Sequence, residues 1–562
     1  MRVARSRFLT VDARQCDERV RKRCGPDGRA SPSGAAKPVM KRSLDDGNAQ
    51  RPQWNGVHIV SMLLIAVWFL AGCAHELAPP DDCPTQEWRR ASPESQGIDS
   101  TVLVEVLSYI RDKALPVHSL LIARRGYLVM DETFDPYTDG LRHDIASVTK
   151  SITATLVGMA IDEGYISTVD AGVHDVLGGF NGRDLKPFKQ QMTVGHLLSM
   201  SSGLECGYEP GEPELFEMRK TNDWITYTLA LPMRTQPGTE FAYCSSGMHL
   251  LSAIVTRVTG QSLEAFAAIR LFRPLGIQDW YWPADPAGVS HGWGDLQLHP
   301  RDMAKIGLLY LYKGQWEGRQ VVAADWIAQA TRPHVNTSRE GVSYGYGWWR
   351  SELSGLTLIA AQGRGGQRIV IWPEKELVVV LTAGGVDTDE LAPFLARAVR
   401  SSGSFPENPA AAAKLKDTVA ALNAVPPAQP VGNLPVMAAR ISGRWYWFDR
   451  NRLGLDGLTL NFHHLNPEVG LRIDGRRYEF PIGLDGVYRF LSQGRSTLPT
   501  GVKGRWTGQD TFVFEYDEIG GINHFTFRLR FTDDSVSVTI DDPTGLHRLT
   551  LTGQKKVNDP RQ

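Results

Sequence analysis

Apolar positions set the first frame. From Asp99 onward Leu103, Leu107 and Ile110 recur at helical spacing, and Asp99 or Ser100 supplies the oxygen that opens a helix. The stretch SLLIARRGYLVMDETF then divides into two apolar runs around Arg125-Gly126, which predicts an antiparallel hairpin. Ile152, Leu156, Met159 and Glu163 return to helical spacing until Gly164 stops the helix. From Thr193 to about Ile277 the pattern is mostly helical, broken by loops such as SMSSGLECGYEPGEPE. Between Tyr344 and Thr382 strands return, with QRIVIW and ELVVVLT facing each other across Pro373-Glu374-Lys375, and DELAPFLARAVR reads as a closing helix. Strands on both sides of a helical insert predict an α/β body over residues 85–400, an antiparallel sheet flanked by helices with a helical insert subdomain.

Residues 401–437 are rich in Ala and Pro and read as a linker with one short helix carrying Leu415, Val419 and Leu422. Beyond it DGLTLNF, LRIDGRRYEF, TFVFEY, HFTFRLRF and SVSVTI alternate apolar and polar. Asp-Gly pairs at 456–457, 474–475 and 485–486 read as turns. Residues 438–562 therefore form a separate C-terminal antiparallel all-β domain, a closed or nearly closed meander.

Composition matters mainly through its asymmetry. Residues 1–72 carry 13 Lys or Arg against 6 Asp or Glu, whereas the whole chain has a net charge of -1, so the remainder is acidic. An acidic body is a poor phosphate binder, which excludes nucleic acid as a partner. The basic front end precedes the apolar run Ile59–Ala71, whose 13 residues suit a signal-peptide core better than a membrane span. Leu70-Ala71-Gly72-Cys73 resembles the bacterial lipobox, in which cleavage before the cysteine leaves a thiol for lipid attachment. Residues 1–72 are thus expected to be a leader with lipoprotein signal peptide, for which Met40 is an alternative start. Residues 73–84 form a Pro- and Asp-rich tether. The expected location is the cell envelope, lipid-anchored at Cys73 and facing the periplasm from the outer membrane.

Candidate chemistry starts at DIASVTKSI, where Ser147 and Lys150 stand three apart at a helix start and so share a face. Unpaired amides at that end favour developing negative charge. A proton relay is available in Tyr243, just before a helix carrying Leu251, Ile254, Val255 and Val258. In QGRGGQRIVIW, Gly363, Gly365 and Gly366 let a backbone approach a ligand before a strand begins. A rival nucleophile, Ser343 in GVSYG, lacks the buried strand and following helix that a nucleophile elbow needs.

The three elements in this order, with TVGHLLSMSSGL, LFRPLGI, HPRDMAKIGLLYL and YGYGWW, resemble the serine β-lactamase and penicillin-recognising superfamily in its class C-like branch. That branch includes D-alanyl-D-alanine carboxypeptidases, esterases and 6-aminohexanoate-dimer hydrolase. The resemblance covers roughly residues 90–400 and implies a β-lactamase-like fold. It implies Ser147 as acylated nucleophile, Lys150 as its proton acceptor and Tyr243 as relay to the leaving group and later to water. The Ser147 amide and that of Gly366 or Gln367 would form the oxyanion hole. Two positions depart from the pattern. Ser245 stands where an Asn amide often holds substrate, and Arg364 stands among the glycines where a Lys-Thr-Gly or His-containing motif is usual, so the resemblance implies acyl transfer more strongly than β-lactam turnover.

The expectation is a lipid-anchored serine hydrolase acting on a small ester or amide without metal or cofactor. The alternatives are a D-Ala-D-Ala carboxypeptidase or penicillin-binding protein, and a catalytically weak surface lipoprotein whose β domain binds a ligand or the envelope. Cys206 and Cys244, both in the insert, are expected to pair in an oxidising compartment, leaving Cys83 of the tether unpaired.

Overall fold

The structure is a computed structural model describing residues 83–178, 187–209, 211–387, 390–463, 466–492, 496–532, 534–544 and 547–555. The leader, Met40 and Cys73 lie outside the described residues. Among the described residues no helix is long and apolar enough to cross a membrane.

Asp99 accepts a bond from the Thr101 N–H and opens helix α1 (Ser100–Asp112), which buries Leu103, Leu107 and Ile110. Strands β1 (Val117–Arg124) and β2 (Tyr127–Thr133) follow as the expected hairpin. Arg125 and Gly126 between them have φ of 52° and 80°, the pair of left-handed residues whose twist suits a two-residue hairpin turn. Later in the chain come β3 (Leu356–Gly363), β4 (Gln367–Trp372) and β5 (Leu377–Ala383). β3 pairs with β4, β4 with β5, and β5 with β1, all antiparallel.

The sheet is covered on both faces, which explains why LVVVLTA in β5 shows no polar alternation. Val378 and Val380 enter one core, with helices α2 (Thr149–Asp162), α3 (Ser245–Thr259) and α4 (Pro300–Leu311). Leu377, Val379 and Leu381 enter the other core with α1. Successive side chains of a strand point to opposite faces, so both sets must be apolar.

Two stretches expected to be loose are packed. Within 401–437, Asn408 caps a 14-residue helix, α5 (Pro409–Leu422), whose Leu415, Val419 and Leu422 lie against the second core. Cys83, placed in the tether from the sequence, is buried in the first core with the Glu317 N–H directed at its sulfur over 3.5 Å.

The C-terminal domain is a nearly closed barrel. Among the described residues it has ten strands, between Trp445–Trp447 and Leu549–Lys555, with Arg476–Pro481 and Arg489–Leu491 at the two ends of the order. A bridge between Gly483 and Lys503 links the chain after Arg476–Pro481 to the strand Thr500–Trp506 near the opposite end. Asp474 and Gly475, at φ of 48° and 78°, make the expected turn. Asp456-Gly457 does not. It lies inside the strand Leu455–Asn461 at a shift of register, where a Cβ on Gly457 would come 3.1 Å from the Trp447 ring. Gly457 makes room for an indole rather than a bend.

Candidate active site

Ser147 sits in a 3₁₀ turn, Ala146–Val148, that runs directly into α2. The residue before it, Ala146, has φ of 47°, a strained conformation for a residue with a Cβ, and its N–H donates to Asp144 Oδ1 at 2.8 Å. Strand β3 ends against this turn. A Cβ at Gly363 would lie 2.6 Å from the Ile145 carbonyl oxygen, so glycine is what lets the strand edge meet the serine turn.

Lys150 is the second residue of α2, one turn after Ser147, and its Nζ donates to Ser147 Oγ at 2.8 Å and to the Trp293 carbonyl at 3.0 Å. The side chain is 1% exposed. Burial pushes its pKa down to about 8, against the upward pull of Glu212 and Asp295.

Tyr243 closes the triangle. Its phenol is near enough to the Ser147 side chain to feel it, and Lys150 Nζ lies 4.7 Å from its ring centroid. Burial pushes the phenol well above its ordinary value, with Ser147 opposing. Trp349 stacks on the ring at 5.7 Å, and Cys244, bonded to Cys206 with Cα atoms 5.2 Å apart, fixes the chain on its other side.

The N–H and hydroxyl of Ser245 donate to Glu212 Oε1 and Oε2 at 2.7 and 2.8 Å. Arg364 donates through Nη1 to Asn523 Oδ1 at 3.0 Å and to Thr544 Oγ1 at 3.4 Å, both in the barrel. Gly366 is buried with φ of 101°, and Gln367 is 1% exposed, with its side-chain amide engaged by the Ala383 backbone on β5. Ser343 lies apart from this group in the short strand Ser343–Tyr344, its hydroxyl directed at the Arg350 carbonyl over 3.5 Å.

Sequence reasoning missed an acidic cluster. Asp295 accepts from His291 Nδ1 at 2.7 Å, and although burial opposes it, this bond and Arg219 hold its carboxyl below the usual range. Asp144 behaves oppositely: burial and then the Asp295 charge push it up to about 7, against the Ala146 N–H and Arg364. Glu212 is also pushed up by burial, with Lys150 and Ser245 opposing. Glu212 has φ of 50°, and no periodicity marks it, because its place depends on how the loop after Cys206 folds back.

These groups border a cavity of about 980 Å³ that includes Asp144, Ser147, Glu212, Tyr243, Ser245, Asp295 and Arg364 in its wall. A beta-lactamase family model matches residues 104–404, over half of the chain. The chain belongs to the beta-lactamase family. It is 27% identical over 280 residues to 6-aminohexanoate-dimer hydrolase of Paenarthrobacter ureafaciens, covering 44% of this chain and 67% of that one. With penicillin-binding protein 4 of Amycolatopsis lactamdurans it shares 30% over 197 residues, covering 34% and 50%. With esterase EstB of Burkholderia gladioli it shares 26% over 233 residues, covering 37% and 59%. The matches thus span about half to two thirds of these curated relatives. The beta-lactamase-fold body and the separate all-β domain agree with the sequence reading, and the chain is a serine hydrolase of the beta-lactamase and penicillin-binding-protein family with esterase and amidase relatives.

Proposed function

We propose that the protein hydrolyses a small ester or amide through an acyl-enzyme on Ser147. The observation that carries this reading is the buried Lys150 Nζ on Ser147 Oγ at 2.8 Å, with the Tyr243 ring 4.7 Å from the same nitrogen. At pH 7 a group titrating near 8 is about one-tenth neutral, against about one part in a few thousand for an ordinary lysine. Neutral Lys150 accepts the Ser147 proton as Oγ attacks the carbonyl carbon, and the amides of Ser147 and of Gly366 or Gln367 receive the oxyanion. Tyr243, kept protonated by its raised pKa, hands a proton to the leaving group and takes its replacement from Lys150. Water then attacks the acyl-enzyme by the same route in reverse. A fluorophosphonate adduct located on Ser147, with loss of ester turnover in Ser147→Ala, tests the assignment.

A D-alanyl-D-alanine carboxypeptidase is the second reading, favoured by the penicillin-binding-protein relative. Against it stand Ser245, whose donors go to Glu212, and Arg364, which is bonded to the barrel. Release of D-alanine from a D-Ala-D-Ala peptide, compared with turnover of a nitrophenyl ester, separates the two. A catalytically weak binding lipoprotein would take up no fluorophosphonate. We further propose attachment through a lipidated Cys73 in the bacterial envelope, on the strength of the basic flank, the apolar run and the Leu-Ala-Gly-Cys box.

A further inference from the structure

The cavity at Ser147 does not end at the hydrolase body. Its far wall is the interior of the barrel: Leu453, Leu471, Ile473, Phe525, Phe527 and Ile540 all border it. Leu471 with Ile473, and Phe525 with Phe527, are pairs two apart on single strands and so point to one side, the inner face of the sheet. Leu471 and Ile540 belong to the barrel core, so the space runs into the barrel's end rather than over its surface.

The barrel is also held in register with the serine. Gly520, in the loop between Thr511–Glu518 and His524–Phe531, accepts from the Asp144 N–H at 2.8 Å, three residues before Ser147. Asn523 of the same loop holds Arg364, and Asp517 at the end of the preceding strand accepts from the Tyr137 hydroxyl at 3.1 Å. One cavity therefore has a charged end, with Ser147, Glu212, Asp295 and Arg364, and an end supplied by the barrel in which those six apolar side chains are rimmed by Arg452, Asp474, Glu518 and His547. A volume of about 980 Å³ is far more than a two-carbon acyl group fills.

We infer that the mouth of the C-terminal barrel is a substrate subsite that takes an aliphatic or aromatic chain of an amphiphilic ester or amide while its carbonyl lies at Ser147. This rests on the proposed chemistry at Ser147 and goes beyond it by naming the substrate class. The chain can belong to the acyl part or to the alcohol or amine part. Each buried methylene is worth about fourfold at full burial, so even partial burial of a few of them is measurable.

The full-length protein is assayed with nitrophenyl esters from acetate to octanoate, and separately with acetate esters of alcohols of increasing length. In at least one series kcat/KM is expected to rise about tenfold or more from shortest to longest. Ile473→Trp, which fills the mouth, and Leu453→Asn, which makes it polar, are each expected to cut the long-to-short ratio by a similar factor. Both positions are half-buried, and a ratio taken within one preparation cancels differences in folded fraction. Flat series in the parent, or variants that scale long and short esters alike, would overturn the subsite. Binding to the Ser147→Ala chain, read by tryptophan fluorescence, gives the same length series without turnover. Length-dependent binding there upholds the subsite even if the Ser147 chemistry fails, and length-independent binding refutes the subsite even if it succeeds.

Discussion

Ser245 gives its backbone N–H and its hydroxyl to the two oxygens of Glu212, at 2.7 and 2.8 Å, at the entrance of α3. The carboxylate thereby caps a helix start and faces Lys150, whose pKa it raises. Because the neutral lysine is the working form, Glu212→Gln is expected to lower the Lys150 pKa and move the acid limb of kcat/KM toward lower pH. An unmoved limb in the pH–rate profile would show that Glu212 is too well screened to matter.

The Cys206–Cys244 bond spans 38 positions and braces the residue next to Tyr243. Loop-closure entropy assigns it about 4 kcal/mol. A Cys206→Ser, Cys244→Ser double variant is expected to unfold at lower denaturant and to lose turnover, because Tyr243 is no longer held against Ser147. Equal denaturation midpoints would contradict this.

His524 shares Asp517 with Tyr137 at the barrel contact, which should make stability depend on pH. Burial works against its charge, but Asp517 and Glu515, at 3.2 and 3.5 Å, push it up to about 9. A folded-state pKa above the ordinary 6.5 means that its contribution is complete below about pH 6.5 and is lost as pH rises through about 9. Thermal unfolding of the parent should fall across that window, and His524→Gln should flatten the fall. The same slope in the variant would assign it to other groups.

Much of the fold was legible wherever one period ran long enough. α1, the hairpin at Arg125-Gly126 and the β4–β5 pair follow from spacing and turn residues, and the order of Ser147, Lys150, Tyr243 and the glycine turn pointed to the family. What escaped depends on tertiary contact. Asp456-Gly457 has turn chemistry, but the Trp447 ring over Gly457 sets its role. α5 lies between Pro-rich stretches, and only its packing on the second core shows that it belongs to the body. Arg364 faces the barrel as well as the cavity because a second domain docks there, and Glu212 arrives through a loop without periodicity.

The anchor is tested in the host. Cys73→Ser should leave an unprocessed precursor, longer by the uncleaved leader and free of lipid label, whereas parent protein is processed, takes up lipid label and enters the detergent phase; changes before Met40 should do little. Aqueous partitioning of the parent, or a parent without lipid label, would remove the lipoprotein proposal.

Peptide mass spectrometry of the fluorophosphonate-treated protein tests the central claim most directly. A single adduct on the peptide carrying Ser147, greatly reduced in Lys150→Ala and absent in Ser147→Ala, is the predicted result. An adduct on Ser343 or another serine, or ester turnover at the parent rate in Ser147→Ala, would contradict it.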